Sequence, residues 1–279
     1  MRRGIEKAIY TLCILLPLFS CGSDNYKVQF SSDQIEAQAS SGTVAASEPK
    51  VLPARIINGF EHSPANSPQI LKLDIKFTDS TDGFCTGTVI GSHSILSAGH
   101  CFKNQSGVSF VKVNGGSSQA ISQIIIHPLY REDFELGAIF NDVAVLKATE
   151  PLNLPALSIF ASGQITTGDL IGIYGYGIDE KGNSGILRSG NMLISAVTAN
   201  HLFAVFNNLS NTCSGDSGGP VTYSSFDQDG NLQSVALVGI TSTGTSEKCD
   251  KGDLNLFTNI NNPHILNFII ELVPEVSLL

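Results

Sequence analysis

The stretch Cys213-Ser214-Gly215-Asp216-Ser217-Gly218-Gly219-Pro220 constrains this chain more than any other. Glycines on both sides of Ser217 suit a backbone that turns tightly and leaves the serine hydroxyl exposed. Gly215 and Ser217 can also aim two backbone N–H groups at one spot, the geometry of an oxyanion hole. Asp216, lying between them, needs a cationic partner if it is buried. Clusters of Gly, Ser and Asp are usually plain turns, so the rest of the chain must supply the other parts of a site.

The chain has 279 residues, enough for one large domain or two small ones. Its formal net charge of −9 gives no basic face, so no nucleic-acid partner is expected. Nothing after residue 21 approaches a transmembrane run of about 18 apolar residues. Residues 1–20 read as an export signal: Arg2, Arg3 and Lys7, then an apolar run from Ala8 to Phe19 too short to span a bilayer comfortably. A small-x-small cleavage site fails because Leu18 stands where a small residue is wanted. Leu18-Phe19-Ser20-Cys21 instead resembles the lipobox of bacterial lipoproteins, which implies a lipid on Cys21 and an anchored, exported precursor. Of six cysteines, Cys13 then leaves with the signal and Cys21 takes the lipid, so an even number remains. Residues 22–55 are rich in Ser, Ala, Gln, Glu and Pro, a linker composition without the apolar content of a core.

The linker ends at Arg55-Ile56-Ile57-Asn58-Gly59. Short runs of β character follow: Gln69 to Phe77, Thr88 to Ile90, Ser94 to Ala98, Val108 to Val113 and Ala120 to Ile126. Pro151 to Pro155 reads as a connection. Beyond it lie Leu170 to Ile173, Arg188 to Ser195, His201 to Phe206, Pro220 to Tyr223, Ser234 to Thr241 and Leu256 to Ile260. Many short strands punctuated by Gly, Asn and Ser predict an all-β fold. Asn262-Pro263 before His264 to Val273 predicts an N-cap, a proline at the first helical position and an amphipathic helix.

Three stretches carry chemistry in addition to the first. Ser97-Ala98-Gly99-His100-Cys101 singles out one histidine among six; His127, in Ile126-His127-Pro128, reads as an exposed structural one. Asn141-Asp142-Val143-Ala144-Val145-Leu146 sets an acid at the head of an apolar strand. Gly175-Tyr176-Gly177 marks a tight turn. Together with the GDSGGP run, and with His100, Asp142 and Ser217 in that chain order, these resemble the chymotrypsin/trypsin-like serine proteases over Ile56 to about Val273.

The resemblance implies two packed antiparallel six-stranded β-barrels, about residues 56–150 and 156–261, with a C-terminal helix at about 263–273. It implies acyl transfer: Ser217 as nucleophile, His100 as general base and acid, Asp142 as the acid that orients it, and Gly215 and Ser217 amides as the oxyanion hole. Zymogens of the family are cut before a sequence like Ile56-Ile57-Asn58-Gly59, and the new α-amino group of Ile56 pairs with Asp216. Disulfides Cys85–Cys101 and Cys213–Cys249 are implied, the first closing a loop worth roughly 3 kcal/mol. Ser242 matches a serine that supports the catalytic acid. The specificity pocket falls on Asn211, Ser242, Gly244 and Asn255, with asparagine at 211 where trypsins carry aspartate. No carboxylate is then fixed at its base, and a P1 residue of small or medium size without charge is expected, unless Glu247, Asp250 or Asp253 folds inward. No metal and no cofactor are expected; the partners are a protein or peptide substrate and an activating protease, and the enzyme is expected to be a monomer. A catalytically silent homologue acting as a binding module is the alternative, and an esterase on the same triad a further one.

Overall fold

The computed structural model describes residues 56–103, 108–114 and 119–279. The expectations for the signal at 1–20, for Cys21 and for the propeptide through Arg55 lie outside the described residues.

Strand β1 (Phe60–Glu61) leads into the first barrel, built from β2 (Ile70–Phe77), β3 (Asp82–Gly91), β4 (Ser94–Ser97), β5 (Val108–Asn114), β6 (Gln119–Ile126) and, after a small hairpin, β9 (Ala144–Ala148). The hairpin strands are β7 (Arg131–Asp133) and β8 (Ala138–Phe140). The barrel closes in the order β2-β3-β4-β9-β6-β5. In β2 the period of two is visible: Leu71, Leu73 and Ile75 point into the core, and Lys72, Asp74 and Lys76 alternate outward.

The second barrel uses β10 (Leu170–Gly175), β11 (Arg188–Val197), β12 (His201–Val205), β13 (Pro220–Phe226), β14 (Leu232–Gly244) and β15 (Leu254–Asn259). Its strands run β11-β10-β13-β14-β15-β12, and the β11–β12 pairing closes the ring while β1 adds an edge to β11. Two six-stranded antiparallel barrels are therefore present, as expected. Most strands run slightly past the bounds read from the sequence. The largest difference is β3, which starts at Asp82 because its charged and glycine-containing head pairs by backbone with Ile75 and Lys76.

Helix α1 (Pro263–Leu272) begins as expected, with the Asn262 side chain accepting from His264 N and Pro263 in the first turn. Ile265, Ile269 and Val273, spaced by four, enter the core that Leu71, Val89, Ile95 and Leu146 build in the first barrel. Lys147 Nζ secures the helix end by donating to the Leu272 carbonyl at 2.5 Å. His127 corrects one expectation. It is buried, not exposed, because α1 lies over it: the His264 carbonyl is 3.3 Å from its Nε2 and the Phe268 ring packs edge-on against it.

Candidate active site

The three sequence-defined residues come from three separate places: Asp142 meets His100 directly, and the Ser217 backbone lies against Cys101, the next residue after His100. His100 opens a short 3-10 turn after β4, Asp142 immediately precedes β9, and Ser217 lies in the loop between β12 and β13. Asp142 is wholly buried. Its Oδ2 lies 2.7 Å from His100 Nδ1 and accepts from Ser242 Oγ at 2.6 Å. Its Oδ1 accepts from the His100 amide at 2.8 Å. The carboxylate thus grips His100 by both ring and backbone, which fixes the imidazole with Nε2 turned to the cleft. Burial works to lower the His100 pKa, but the charge and hydrogen bond of Asp142, with Glu132 farther off, outweigh it and raise the value. Burial likewise opposes ionisation of Asp142, yet the His100 charge and the bonds from His100 and Ser242 hold it below the usual range. An ionised acid beside an imidazole that is easily protonated is the arrangement a general base needs.

Disulfide Cys85–Cys101 ties the histidine turn to β3, so both of its cysteines are engaged as expected. Cys101 Sγ lies 4.0 Å from His100 Nε2 and 3.9 Å from the Ser217 carbonyl oxygen, so one sulfur touches both the imidazole and the Ser217 backbone. Among the described residues no hydrogen bond joins Ser217 Oγ to His100 Nε2. Such contacts often tighten only when substrate is bound.

The loop around Ser217 is fixed almost atom by atom. Ile178 N donates to the Ser214 carbonyl at 2.9 Å and Gly219 N to the Asp216 carbonyl at 2.8 Å. Gly218 N donates to the Thr241 carbonyl at 2.8 Å. Gly215 has φ of 96°, open to glycine alone, and the Phe84 ring lies against its Cα so closely that a Cβ would fall 2.1 Å from it. The amides of Gly215 and Ser217, the donors expected to form the oxyanion hole, have no acceptor among the described residues.

Asp216 is fully buried, with Oδ1 accepting from Gly177 N at 2.8 Å and Oδ2 from Cys213 N at 2.9 Å. Its carboxylate explains the Gly175-Tyr176-Gly177 turn, because a Cβ on either glycine would collide with it at 2.1–2.5 Å. Burial pushes its pKa up to about 6, against the pull of the Cys213 and Gly177 amides and of the Arg188 charge. Ile56 is also buried, among Met192, Ile194 and Phe257, and the Ile57 carbonyl accepts from Asn211 N at 2.9 Å. In the uncut chain Ile56 N is an amide, so it carries no charge to offer Asp216.

Asn211 and Asn255, expected at the specificity pocket, belong to a closed polar network. Asn211 and Asn255 have no accessible surface. Asn211 Nδ2 donates to the Cys249 carbonyl at 3.1 Å and to Asp253 Oδ2 at 3.0 Å, and its Oδ1 accepts from Asn255 Nδ2 at 2.5 Å. Asn255 Oδ1 accepts from Thr212 Oγ1. Disulfide Cys213–Cys249 braces the two walls. Gly244 is exposed at the rim, and Ser242 faces away from the pocket toward Asp142. Of the three acids considered, Glu247 and Asp250 stay exposed and Asp253 folds inward. Asp253 Oδ1 accepts from Thr245 N and Ser246 N, each at 2.8 Å, and the carboxylate has no cation within reach among the described residues.

Sequence reasoning missed two further groups. Arg188 is buried and pairs with Asp179 at 3.1 Å while donating to the Gly177 carbonyl at 3.3 Å, and so backs the turn that holds Asp216. The signal was an arginine at the head of an otherwise apolar alternating strand. Thr86, on β3, has no accessible surface and faces the Gly215 loop; nothing in the sequence marked it.

The family described as Trypsin matches residues 56–269. Among curated proteins the chain is similar to Trypsin-1 of Astacus astacus, 27% identical over 221 residues, 68% of this chain and 89% of that protein. It is equally similar to Brachyurin of Leptuca pugilator, 27% identical over 228 residues, 74% of this chain and 93% of that one. Among solved structures, HL collagenase superposes with a TM-score of 0.63 at 22% identity, covering 77% of this chain and 97% of its own, which extends the likeness to the fold. Two six-stranded barrels and a family match over nearly all of both place this chain in the trypsin family of serine proteases.

Proposed function

We propose that this chain is a serine endopeptidase that hydrolyses peptide bonds through an acyl-enzyme on Ser217. The observation that carries the reading is Asp142, buried and held between His100 Nδ1 and Ser242 Oγ, in the same cleft as two amides without acceptors. Ser217 attacks the peptide carbonyl while His100 Nε2 takes the hydroxyl proton. The amides of Gly215 and Ser217 bind the carbonyl oxygen as it becomes an anion. His100 then gives its proton to the leaving amine, and a water repeats the sequence to release the acid. Asp142 keeps the imidazole in the right tautomer and offsets its charge. The activated protein should label covalently with a fluorophosphonate at Ser217, and Ser217→Ala should abolish both labelling and peptide cleavage, a loss of about 10⁶ in kcat for a comparable triad. Labelling without cleavage of any peptide points to an esterase. Absence of labelling points to a silent homologue used for binding, and either result overturns the endopeptidase reading.

Activation follows from the pairing of Ile56 with Asp216 after cleavage at Arg55–Ile56, since one buried charge left without its partner costs on the order of 3–5 kcal/mol. The two disulfides fit an exported protein, formed in an oxidising compartment. A lipid on Cys21 tethers the precursor through residues 22–55, a reach of roughly 30 Å. No cysteine lies between Gly22 and Arg55, so cleavage severs the one covalent link between anchor and enzyme and releases the protease as it switches on. The P1 residue is short and uncharged. Asp253 is the acid that folds inward, but its Oδ2 is taken by Asn211 Nδ2 and its Oδ1 by the Thr245 and Ser246 amides, so it is engaged by the protein and does not stand free to meet a long cationic side chain.

A further inference from the structure

Thr86 sits in the middle of β3, on the first barrel, yet three of its four polar contacts are to the second. Its amide donates to the Ser217 carbonyl at 2.8 Å. Its hydroxyl donates to the Gly215 carbonyl at 3.0 Å and accepts from Tyr176 N at 3.1 Å. Its own carbonyl accepts from Ser97 Oγ at 2.8 Å, three residues before His100. A threonine in a strand ordinarily needs no explanation beyond its branched shape. This one is completely buried, with its hydroxyl used in both directions.

Gly215 is the residue most in need of an external hold. Its φ of 96° is one of several conformations that a glycine visits freely. The Ser214 carbonyl on one side is held by Ile178 N. The Gly215 carbonyl on the other is held by Thr86 Oγ1, the one side-chain hydrogen bond reaching that group among the described residues. The Gly215 N–H shares its peptide plane with the Ser214 carbonyl, and the Thr86 bond holds the next plane, so the glycine joining the two cannot rotate and carry that N–H away. The same hydroxyl takes the Tyr176 amide, beside the Gly177 amide that Asp216 accepts. One oxygen therefore joins the nucleophile loop, the turn around Asp216 and the barrel that carries His100.

Resting on the peptidase reading above, we propose that Thr86 is a positioning residue for the oxyanion hole: its hydroxyl locks the peptide plane that follows the Gly215 amide, so that this N–H stays on the developing oxyanion through turnover. Donors preset in this way act only where charge develops, so their loss falls on the transition state and spares substrate binding.

The test uses the activated protein and three variants. Thr86→Val keeps the shape and loses the hydroxyl; Thr86→Ala loses it without crowding, should valine prevent folding; Thr86→Ser restores it. Each is assayed for kcat and KM on a peptide amide, and for affinity toward a peptide aldehyde, whose hemiacetal with Ser217 presents an oxyanion-like oxygen to the hole. Thr86→Val and Thr86→Ala should lower kcat by roughly ten- to a hundredfold, somewhat less than removal of a donor outright, with KM changed by less than about twofold. Aldehyde affinity should fall in parallel with kcat/KM, and Thr86→Ser should recover most of both. The proposal is overturned if the hydroxyl-free variants keep full kcat, if KM rises in place of the fall in kcat, if aldehyde affinity does not follow, or if serine fails to rescue. A wild-type protein that neither cleaves peptides nor binds the aldehyde would instead sink the peptidase reading itself.

Discussion

Asp216 makes the uncut chain sensitive to pH in a way that the cut chain should not share. Its carboxyl is fully buried, and burial raises its pKa from 3.8 to about 6 while Ile56 N remains a neutral amide. An acid whose folded pKa lies above its unfolded value destabilises the fold once ionised. The penalty grows as pH rises through the window from 3.8 to about 6, by about 1.4 kcal/mol per pH unit and about 3 kcal/mol in all, and it stays constant above that window. Cleavage supplies an α-ammonium, with an ordinary pKa near 8, that pairs with the carboxylate and removes the penalty. The comparison is between an Arg55→Gln chain, which cannot be cut, and the mature protein beginning at Ile56. Denaturant unfolding of both from pH 4 to pH 8 should give a stability difference in favour of the cut form. That difference should widen between pH 4 and 6, level near 3 kcal/mol at pH 6–7, and narrow again at alkaline pH as the ammonium loses its proton. Other titrating acids affect both forms alike and cancel. A difference that stays flat from pH 4 to 7 would refute the argument, because it would mean that Asp216 finds equal compensation in the uncut chain.

Two other outcomes are expected. Cells making Arg55→Gln should hold the protein in the membrane fraction, inactive, whereas mature wild type should be soluble and active; mature enzyme that stays in the pellet after a high-salt wash would end the release model. A P1 profile of the wild type should favour short uncharged residues, and Asn255→Gly should deepen the pocket toward the Asp253 carboxylate and raise cleavage after Lys or Arg by roughly tenfold. A wild-type profile dominated by Lys or Arg, or a glycine variant without that gain, would show the floor to be arranged otherwise.

The parts of the site legible in the sequence are those whose chemistry is carried by contiguous residues. His100, Asp142 and Ser217 each sit in a local run whose glycines, small residues or apolar neighbours are needed for that one side chain. The same holds for the asparagine–proline start of α1 and the alternation in β2. What was hidden depends on partners far away in sequence. Thr86 looks like any strand threonine until Gly215 and Tyr176 arrive from the second barrel. His127 reads as exposed beside Pro128 until α1 covers it from the end of the chain. Asp253 belongs by composition to a charged loop, and its inward turn brings its carboxylate to the Thr245 and Ser246 amides, from which it accepts. The hairpin of β7 and β8 was also missed, since Arg131-Glu132-Asp133 has no strand character. Its Arg131 instead pairs with Asp133 and stacks over Phe140.

Asn211 joins two segments with different proposed tasks. Its side chain binds Asn255 and Asp253 where the specificity pocket is expected, while its backbone amide clasps the carbonyl of Ile57, one residue beyond the Arg55–Ile56 bond proposed for activation. Ile56 itself is buried, with 2% of its surface exposed. An activating enzyme reads an extended strip of chain, so on the proposed activation this segment would first peel out of its seat, and the pace of activation would follow how often it opens. A change at Asn211 that loosens or tightens the clasp would reset that pace along with the choice of substrate. On this reading the appetite of the enzyme and the speed of its awakening would be inherited together.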